Sequence, residues 1–479
     1  MKRVKAIASI ADSLAAQRSA VRPLAGRPYR QLSTASAAHY RRNATTSRPA
    51  TAQTPFRQHT AVKTCKRQSS TAAEPAEELK ETPLYELHDL EGAKFVPFGG
   101  YQMPVSYEGH SISDSHHFTR SHASVFDVSH MVQHKFVGPG ATAFLQRITP
   151  AGLTALAPHH STLSTLLWPG TGGIVDDTII TRLGPQDYYV VTNAGCREKD
   201  LKYFKEQLAE YLEDGGEAVE WEVLEDWGLI ALQGPLSEEI LTSVLTEPDD
   251  FDLKDLLFGQ SKFLYIETEG GPKLCLVSRG GYTGEDGFEI SIKPESSVLV
   301  TLSILEAGAG AEEVEADDRV KLAGLAARDS LRLEAGMCLY GHDLDDTVTP
   351  VEAGLSWIIG KDRRVEGGFH GADVILQQLV PKSKGGLGVE RRRVGFIVEG
   401  APAREGAEIV DDKGEKIGNI TSGCPSPTLS KFIAMGYIKD GLHKSGTEVT
   451  VMVRGKPRKA TVTKMPFVPS KYWKGLAPS

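Results

Sequence analysis

The sequence has little of what marks zinc-binding, disulfide-stabilised or membrane-spanning proteins. Its five cysteines include no CxxC pair, so neither a zinc site nor a disulfide framework is indicated. No uninterrupted apolar run approaches the roughly 18 residues that a membrane span needs. A Gly-Lys-Ser/Thr phosphate loop is also missing, which argues against a nucleotide cradle. With 479 residues and an ordinary globular composition, the chain is predicted to form two or three domains.

Acidic residues are scarce at the N-terminus. Asp12 is the only one before Glu74, whereas arginine, serine, alanine and threonine are frequent there. This asymmetry, without a secretory-type apolar block, predicts a mitochondrial transit peptide and disordered tail over residues 1–75 and a location in the mitochondrial matrix. Cleavage is expected somewhere between about 30 and 80. A basic arm that binds nucleic acid is the alternative, but the acidic remainder of the chain argues against that partner.

Histidines are crowded into one segment, which raises the question of a metal centre. They are His110, His116, His117, His122, His130 and His134. No HExxH or comparable ligand spacing accompanies them, so solvated or hydrogen-bonded histidines are favoured over ligands. The sequence therefore predicts no metal site.

Apolar periodicity predicts an α+β chain rather than the regular βαβ order of a dinucleotide fold. Helices are predicted at residues 141–147, 199–212, 235–245 and 319–334, and paired strands at residues 161–168 and 174–182. The acidic segment 306–318 is expected to be an exposed connector. From Arg393 onward, short β-rich runs separated by turn residues predict a small all-β barrel or roll.

The run TGGIVDDTIITR, residues 171–182, places two adjacent carboxylates in what is otherwise typical of a buried strand. Aspartate is depleted in strands, so the pair needs a reason. Alternation puts Asp176 and Asp177 on opposite faces, and a carboxylate among β-branched apolar neighbours is desolvated and suited to proton handling. The alternative is a surface turn, with Gly172 and Gly173 opening a bulge. The pattern alone favours neither interpretation.

A second segment with a candidate functional residue is RGGYTGEDGFEI, residues 279–290. Its glycines match no nucleotide-binding motif, and a glycine-rich hairpin accounts for most of it. Glu289 is the exception, because it opens a predicted strand between Phe288 and Ile290. A carboxylate there could accept hydrogen bonds from a heterocycle with adjacent N–H and amino groups, such as a pterin.

Ten short motifs in one consistent order identify a family. They are TPLYELH, FDVSHM, GGIVDD, VTNAGC, ALQGP, GYTGEDGFE, AGLAARDSLRLEAG, CLYGHD, TSGCPSP and KMPFVP. On these motifs the chain after about Thr82 resembles the T-protein aminomethyltransferases of the glycine cleavage system. The resemblance implies an α+β tetrahydrofolate-binding fold around a central hole. Its folate-binding domain, two related α+β portions, would span residues 82–360, and a C-terminal β-barrel would span residues 390–472.

The same resemblance implies the reaction. The aminomethyl group on the lipoyl arm of the glycine cleavage H protein would pass its carbon to tetrahydrofolate, with release of ammonia, to give 5,10-methylenetetrahydrofolate. Tetrahydrofolate would be a co-substrate, and no metal would be needed. Lipoylated H protein is the implied partner, while contact with the glycine decarboxylase P protein and dihydrolipoyl dehydrogenase is left open. No nucleic acid or membrane is expected to bind.

Site residues follow from the matching motifs. Asp177 corresponds to the family's catalytic carboxylate, either as a proton acceptor or as a stabiliser of positive charge, which leaves Asp176 as a structural partner. The implied binding residues are Asn193 in the pocket, Glu289 at the pterin edge, Arg328 as a substrate-pocket cation and Tyr472 as a C-terminal folate contact. For Arg328 an ordinary helix ion pair is the alternative interpretation.

Three other functions remain open. A non-catalytic folate-binding relative that assists iron–sulfur assembly would carry a Lys-Gly-Cys signature, which is missing here. A folate module of a sarcosine- or dimethylglycine-oxidising flavoenzyme would need a flavin domain for which the chain has no room. A pure scaffold for the multienzyme complex would tolerate the loss of Asp177.

Overall fold

The structure is a computed structural model that describes residues 79–309 and 318–475. The predicted transit peptide of residues 1–75 lies outside the described residues, as do residues 310–317 of the predicted connector. The chain divides after Glu78 into two units, and the fold below is that of the second, which begins at Leu79.

The described residues form nineteen strands and nine α-helices. The strands are β1 (Ala93–Phe98), β2 (Tyr101–Tyr107), β3 (Ala123–Asp127), β4 (Val132–Val137), β5 (His160–Leu167), β6 (Ile174–Gly184), β7 (Asp187–Thr192), β8 (Glu220–Val223), β9 (Gly228–Gln233), β10 (Ser261–Ile266), β11 (Lys273–Arg279), β12 (Gly287–Ile292), β13 (Val320–Leu322), β14 (Arg391–Val398), β15 (Glu408–Val410), β16 (Lys416–Ser426), β17 (Lys431–Lys439), β18 (Glu448–Val453) and β19 (Lys456–Thr463). The helices are α1 (Tyr85–Leu90), α2 (Ile112–Ser121), α3 (Ala141–Ile148), α4 (Arg197–Glu213), α5 (Ser237–Ser243), α6 (Ser297–Ala307), α7 (Leu325–Glu334), α8 (Arg363–Glu366) and α9 (Ala372–Leu379).

The first large sheet is antiparallel, with the strand order β5-β6-β7-β4-β8. Helices α3 and α4 bury their apolar faces against it, with Phe144 and Phe204 in the shared core. In α4 the buried side chains recur at helical spacing, from Tyr203 and Phe204 to Gln207 and Tyr211. The predicted helices at 141–147 and 199–212 and the predicted strand pair are confirmed to within two residues.

The second large sheet has the order β10-β11-β12-β9-β3-β13, and β13 runs parallel to β3. The predicted helix at 319–334 is wrong in its first third, because β13 occupies residues 320–322 and the helix begins only at Leu325. The exposed edge of β3 supplies backbone hydrogen bonds that local helical periodicity cannot anticipate. Gly324 then turns the chain where a Cβ atom would lie 2.4 Å from the backbone of Val105.

The two sheets repeat one arrangement. In the first, β4 is followed by α3 and then by β5, β6 and β7, which are ordered 5-6-7-4; β9, α5, β10, β11 and β12 repeat this as 10-11-12-9. Each of these helices is preceded by a Gly-Pro pair, whose glycines, Gly138 and Gly234, have φ of 125° and 131°. The expectation of two related α+β portions is thus confirmed.

A closed six-stranded barrel follows, with the order β14-β17-β16-β15-β18-β19. Its interior is filled by alternating apolar side chains, among them Phe396, Ile420 and Val451. The predicted C-terminal barrel is therefore confirmed. The short strand β15 closes it and was not predicted, since three residues carry no periodic signal.

Helix α7 is fixed between the sheets and the barrel by its last residue. The carboxylate of Glu334 accepts hydrogen bonds from Arg120 Nη2 at 2.7 Å, Ser426 Oγ at 2.5 Å and Thr428 Oγ1 at 2.7 Å. These bonds join α7 to α2 and to the barrel, while Ala327 and Leu331 of α7 pack on the second sheet. None of the described helices is long and apolar enough to cross a membrane.

Candidate active site

Asp176 and Asp177 lie in β6, just after a break in its pairing with β5. Asp176 pairs with Leu166, but the register shifts before Leu167, so that Val175 is left without a partner. The bulge considered from the sequence is therefore present, inside the strand rather than at the glycines. Beyond it Asp176 is completely buried, whereas Asp177 keeps part of its surface exposed.

Asn193 connects the two carboxylates. The pairing of Ile179 with Val191 places Asn193, two residues further on, opposite Asp177. Its backbone N–H donates to Asp176 Oδ2 at 2.8 Å, and its side-chain Nδ2 donates to Oδ1 of both aspartates at 2.9 Å. One amide thus sets the orientation of both acids.

The environment separates the two acids in strength. Burial and the neighbouring charge of Asp176 raise the pKa of Asp177 from 3.8 to about 7, against the hydrogen bond from Asn193. Burial also raises the pKa of Asp176, but several hydrogen bonds, including two from Asn193, favour its ionised form. Asp177 can therefore bind and release a proton near neutral pH, a property suited to acid–base chemistry.

The phenol of Tyr282 lies near Asp177, and the guanidinium group of Arg328 lies over the ring of Tyr282. Burial raises the pKa of Tyr282, and the charges of Asp177 and Arg328 both act on its hydroxyl group. The guanidinium carbon of Arg328 lies 4.7 Å from the centre of the Tyr282 ring. The Tyr282 hydroxyl donates to the carbonyl of Cys338, which holds the ring in place.

Arg328, in the first turn of α7, has an unused donor. Its Nη1 is buried and has no hydrogen-bond partner in the described part of the chain. Burial lowers the pKa of Arg328, while the carboxylate of Glu289 opposes that effect. The helix ion pair considered from the sequence is made by another residue, since Asp329 pairs with Arg332 at 2.9 Å.

Glu289 lies in β12 and is partly buried. Burial raises the pKa of Glu289 and the charge of Arg328 lowers it, with no hydrogen bond to the carboxylate among the described residues. Burial and the charge of Glu289 also raise the pKa of Tyr189 in β7. Glu289 therefore lies near Arg328 and Tyr189, and Tyr282, which the charges of Asp177 and Arg328 both influence, connects this pair to the two aspartates.

Tyr472 lies apart from the other four predicted site residues. Its ring stacks on Phe258 with 4.2 Å between the centroids, and its buried hydroxyl makes no hydrogen bond of normal geometry among the described residues, although the Ser470 side chain lies near it. Burial raises the pKa of Tyr472, and the neighbouring charges are those of Arg120 and Glu285. The structure thus brings together four of the five predicted site residues and leaves Tyr472 on the C-terminal segment.

His130 is a buried histidine near Arg328 that the sequence did not single out. It follows β3 and is buried, with its ring edge-on to Phe98 and Tyr101 and its Nδ1 unpartnered within the described residues. Burial lowers the pKa of His130 to about 4, Asp127 opposes this, and Arg328 adds to it. A neutral imidazole therefore lies beside Arg328. Only its place in the motif FDVSHM distinguished it from the other histidines.

The remaining histidines of the crowded segment do not share one environment, although the rings of His116 and His117 lie 5.5 Å apart. His116, in α2, hydrogen-bonds Ser330 at 2.7 Å, whereas His134, in β4 of the first sheet, hydrogen-bonds Thr192 at 3.1 Å. The crowding in the sequence is not a cluster in space.

Together these groups offer two kinds of chemistry. Asp177 can exchange a proton near pH 7 and is reachable from solvent. Glu289 and Arg328 offer a free acceptor and a free donor beside the ring of Tyr282, an arrangement that suits a flat polar ligand. No single element carries the site, because β6, β12 and α7 each contribute one residue and Asn193 follows directly after β7.

Comparison with known proteins identifies the family. Residues 84–363 match the GCVT N-terminal domain, and residues 391–469 match the glycine cleavage T-protein C-terminal barrel domain. A probable mitochondrial aminomethyltransferase of Schizosaccharomyces pombe is 51% identical over 414 residues, covering 86% of this chain and 99% of that protein. The mitochondrial aminomethyltransferase of Homo sapiens is 45% identical over 397 residues, covering 83% of this chain and 92% of its own.

A solved structure matches over a similar length. The glycine cleavage system aminomethyltransferase T from Bartonella henselae superimposes with a TM-score of 0.71 at 36% identity, covering 82% of this chain and 99% of that one. Sequence motifs, strand order, barrel and relatives all agree. The chain therefore belongs to the glycine cleavage T-protein family of aminomethyltransferases.

Proposed function

We propose that this enzyme transfers the one-carbon unit from the aminomethyl-lipoyl arm of the H protein to tetrahydrofolate in the mitochondrial matrix. Residues 1–75 serve import, residues 82–360 form the folate-binding domain and residues 390–472 form the barrel. The lipoylated H protein is the direct partner, within a system that includes the P protein and dihydrolipoyl dehydrogenase. Tetrahydrofolate is a co-substrate, and the chemistry needs no metal.

The bonds of this reaction define what the site must do. The carbon loses its bonds to sulfur and to nitrogen and gains bonds to N5 and N10 of the folate. The two folate N–H protons end on the thiol and on ammonia. A group that accepts protons near neutral pH, or that stabilises positive charge on the carbon, is therefore needed beside the folate.

The pKa of about 7 for a partly exposed Asp177, beside unpaired binding groups, is the observation that carries the proposal. In its ionised form Asp177 accepts a proton or stabilises the positive charge, and Asn193 holds it in place. Both roles use the same protonation state.

The binding groups fit a pterin. Glu289 has a carboxylate free to accept from adjacent N–H and amino groups, and Arg328 Nη1 is a buried donor that needs an acceptor. The ring of Tyr282 adds a flat surface at the same place. Tyr472 would contact a more distant part of the folate through its buried hydroxyl. Tyr472→Phe, which removes only that hydroxyl, tests this contact by its effect on the folate Kd.

Turnover with defined substrates tests the proposed function. The purified enzyme is mixed with aminomethylated H protein and tetrahydrofolate, and both methylenetetrahydrofolate and ammonia are measured. The proposal requires stoichiometric formation of both products, with H protein lacking the lipoyl group as the inactive control. Folate binding without either product would identify a non-catalytic binder, and the absence of both binding and turnover would identify a scaffold.

A further inference from the structure

A second buried acid lies behind the site, where the reaction scheme gives it no role. Asp200 is in the first turns of α4 and is completely buried, like Asp176. Asp176, Cys196 and Asp200 each place one polar atom within 4.8 Å of the others. Two carboxylates that close in a buried place cannot both stay ionised, so one of them carries a proton.

The hydrogen bonds show which acid holds it. Asp176 accepts two strong hydrogen bonds from Asn193, which favour the carboxylate form. Neither oxygen of Asp200 accepts a hydrogen bond of normal geometry in the described ranges, and only the nearby Thr192 hydroxyl and the charge of Lys199 favour its ionised form. An ionised Asp200 would therefore be an unsatisfied buried charge, whereas a protonated Asp200 can donate to Asp176.

The other groups around Asp200 do not supply a compensating charge. Lys199 directs its Nζ to Tyr340 Oη at 2.6 Å and to Asp346 at 3.2 Å. The Tyr203 hydroxyl donates to a backbone carbonyl. Burial raises the pKa of Cys196, which keeps the thiol neutral. Burial and the charge of Asp176 raise the pKa of Asp200 to about 10, in agreement with the contacts, although Thr192 and Lys199 oppose the shift.

We propose that Asp200 is a positioning residue for the transfer reaction: its protonated carboxyl group donates a hydrogen bond to Asp176. Asp176 is thereby held as the fixed acceptor of Asn193, and Asn193 in turn orients Asp177. A chain of hydrogen bonds thus runs from the interior of α4 to the reactive carboxylate in β6. The functional part of this inference rests on the proposed role of Asp177.

Two substitutions at Asp200 distinguish the loss of its titrating proton from the loss of the whole polar side chain. Asp200→Asn keeps a donor to Asp176 without a titrating group, so kcat is expected to stay near that of the wild type. Asp200→Ala removes the donor and should lower kcat by about tenfold or more through misplacement of Asp177, with little change in the KM for tetrahydrofolate. Glu206→Gln, on the exposed face of α4, is the matched control and should change neither constant.

An infrared difference spectrum reads the proton directly and does not depend on activity. At pH 8 the wild type should show the carbonyl stretch of a buried protonated carboxylic acid, and Asp200→Asn should lack it. If the band is absent from the wild type, or if Asp200→Asn loses as much kcat as Asp200→Ala, the proposal is overturned. A divalent metal bound stoichiometrically by the wild type and lost in Asp200→Asn would also overturn it. If the band is present but the wild type has no transferase activity, the proposed function fails and the assignment of the proton stands.

Discussion

Removing the charge of Asp176 should make Asp177 a stronger acid. Oδ1 of each aspartate lies 2.9 Å from Asn193 Nδ2, so these two oxygens are at most about 6 Å apart. At that distance two charges repel by about 3 kcal/mol with an effective dielectric constant of about 20. That energy corresponds to about two pKa units, less whatever the amide of Asn193 screens.

The assay is the single-turnover rate of Asp176→Asn between pH 5 and pH 9. Ionised Asp177 is the active form, so the wild-type rate should rise with a midpoint near pH 7. In Asp176→Asn the midpoint should move down by about one to two units. The plateau should also fall, because the new amide cannot accept both hydrogen bonds from Asn193.

Two controls isolate this effect from the ionisation of the substrates. Asp187→Asn makes the same substitution at the first residue of β7, at the opposite end of that strand from Asn193, and should leave the midpoint unchanged. Asp200→Asn should also leave it unchanged, since that acid is already uncharged. A midpoint in Asp176→Asn that stays at the wild-type value or moves upward would refute the electrostatic coupling of the two acids.

Three further measurements test the account. Because the pKa of Asp177 is raised to about 7, its ionisation destabilises the fold increasingly as pH rises from about 4 to about 7. Asp177→Asn should therefore have a higher Tm than the wild type at pH 8 and lose this advantage toward pH 4. A lower Tm of Asp177→Asn at pH 8 would contradict the burial argument. Glu289→Gln should weaken folate binding by about tenfold or more in calorimetry, since a hydrogen bond to a carboxylate is worth about 1.5–3 kcal/mol. The control Glu295→Gln, at an exposed position, should bind folate normally. Wild-type affinity in Glu289→Gln would show that Glu289 does not bind folate. Burial opposes the ionisation of Asp127, but hydrogen bonds from its neighbours lower its pKa to about 2. Asp127 should therefore contribute about 2–3 kcal/mol to the free energy of unfolding above pH 4, and this contribution should be lost between pH 4 and pH 2. If Asp127→Asn unfolds in acid with the same pH dependence as the wild type, this prediction is wrong.

Local patterns predicted the elements where burial follows chain periodicity. The strand at 174–182 and the helix at 199–212 agree with β6 and α4 because one apolar face of each meets the core. Residues 320–322 did not follow, because their strand exists only through pairing with β3, which lies about 200 residues earlier in the chain. Parallel pairing between strands so far apart in the sequence leaves no local pattern from which β13 could be predicted.

The sequence predicted candidate site residues but not the hydrogen bonds among them. The family motifs identified Asp177, Asn193, Glu289 and Arg328, which the structure connects through Tyr282 and the amide of Asn193. They did not indicate that one amide of Asn193 holds both aspartates, because that follows from the register of β6 and β7. Asp200 was invisible to the sequence, since an acid in the first turn of a helix normally faces solvent.

The proposed function depends above all on the carboxylate of Asp177, and replacing it with an amide tests this dependence. Single-turnover formation of methylenetetrahydrofolate from aminomethylated H protein is compared at pH 8 between the wild type and Asp177→Asn, with folate affinity measured in parallel. We expect a rate lower by about 100- to 10,000-fold with folate still bound. An undiminished rate in Asp177→Asn would show that this carboxylate does not drive the transfer.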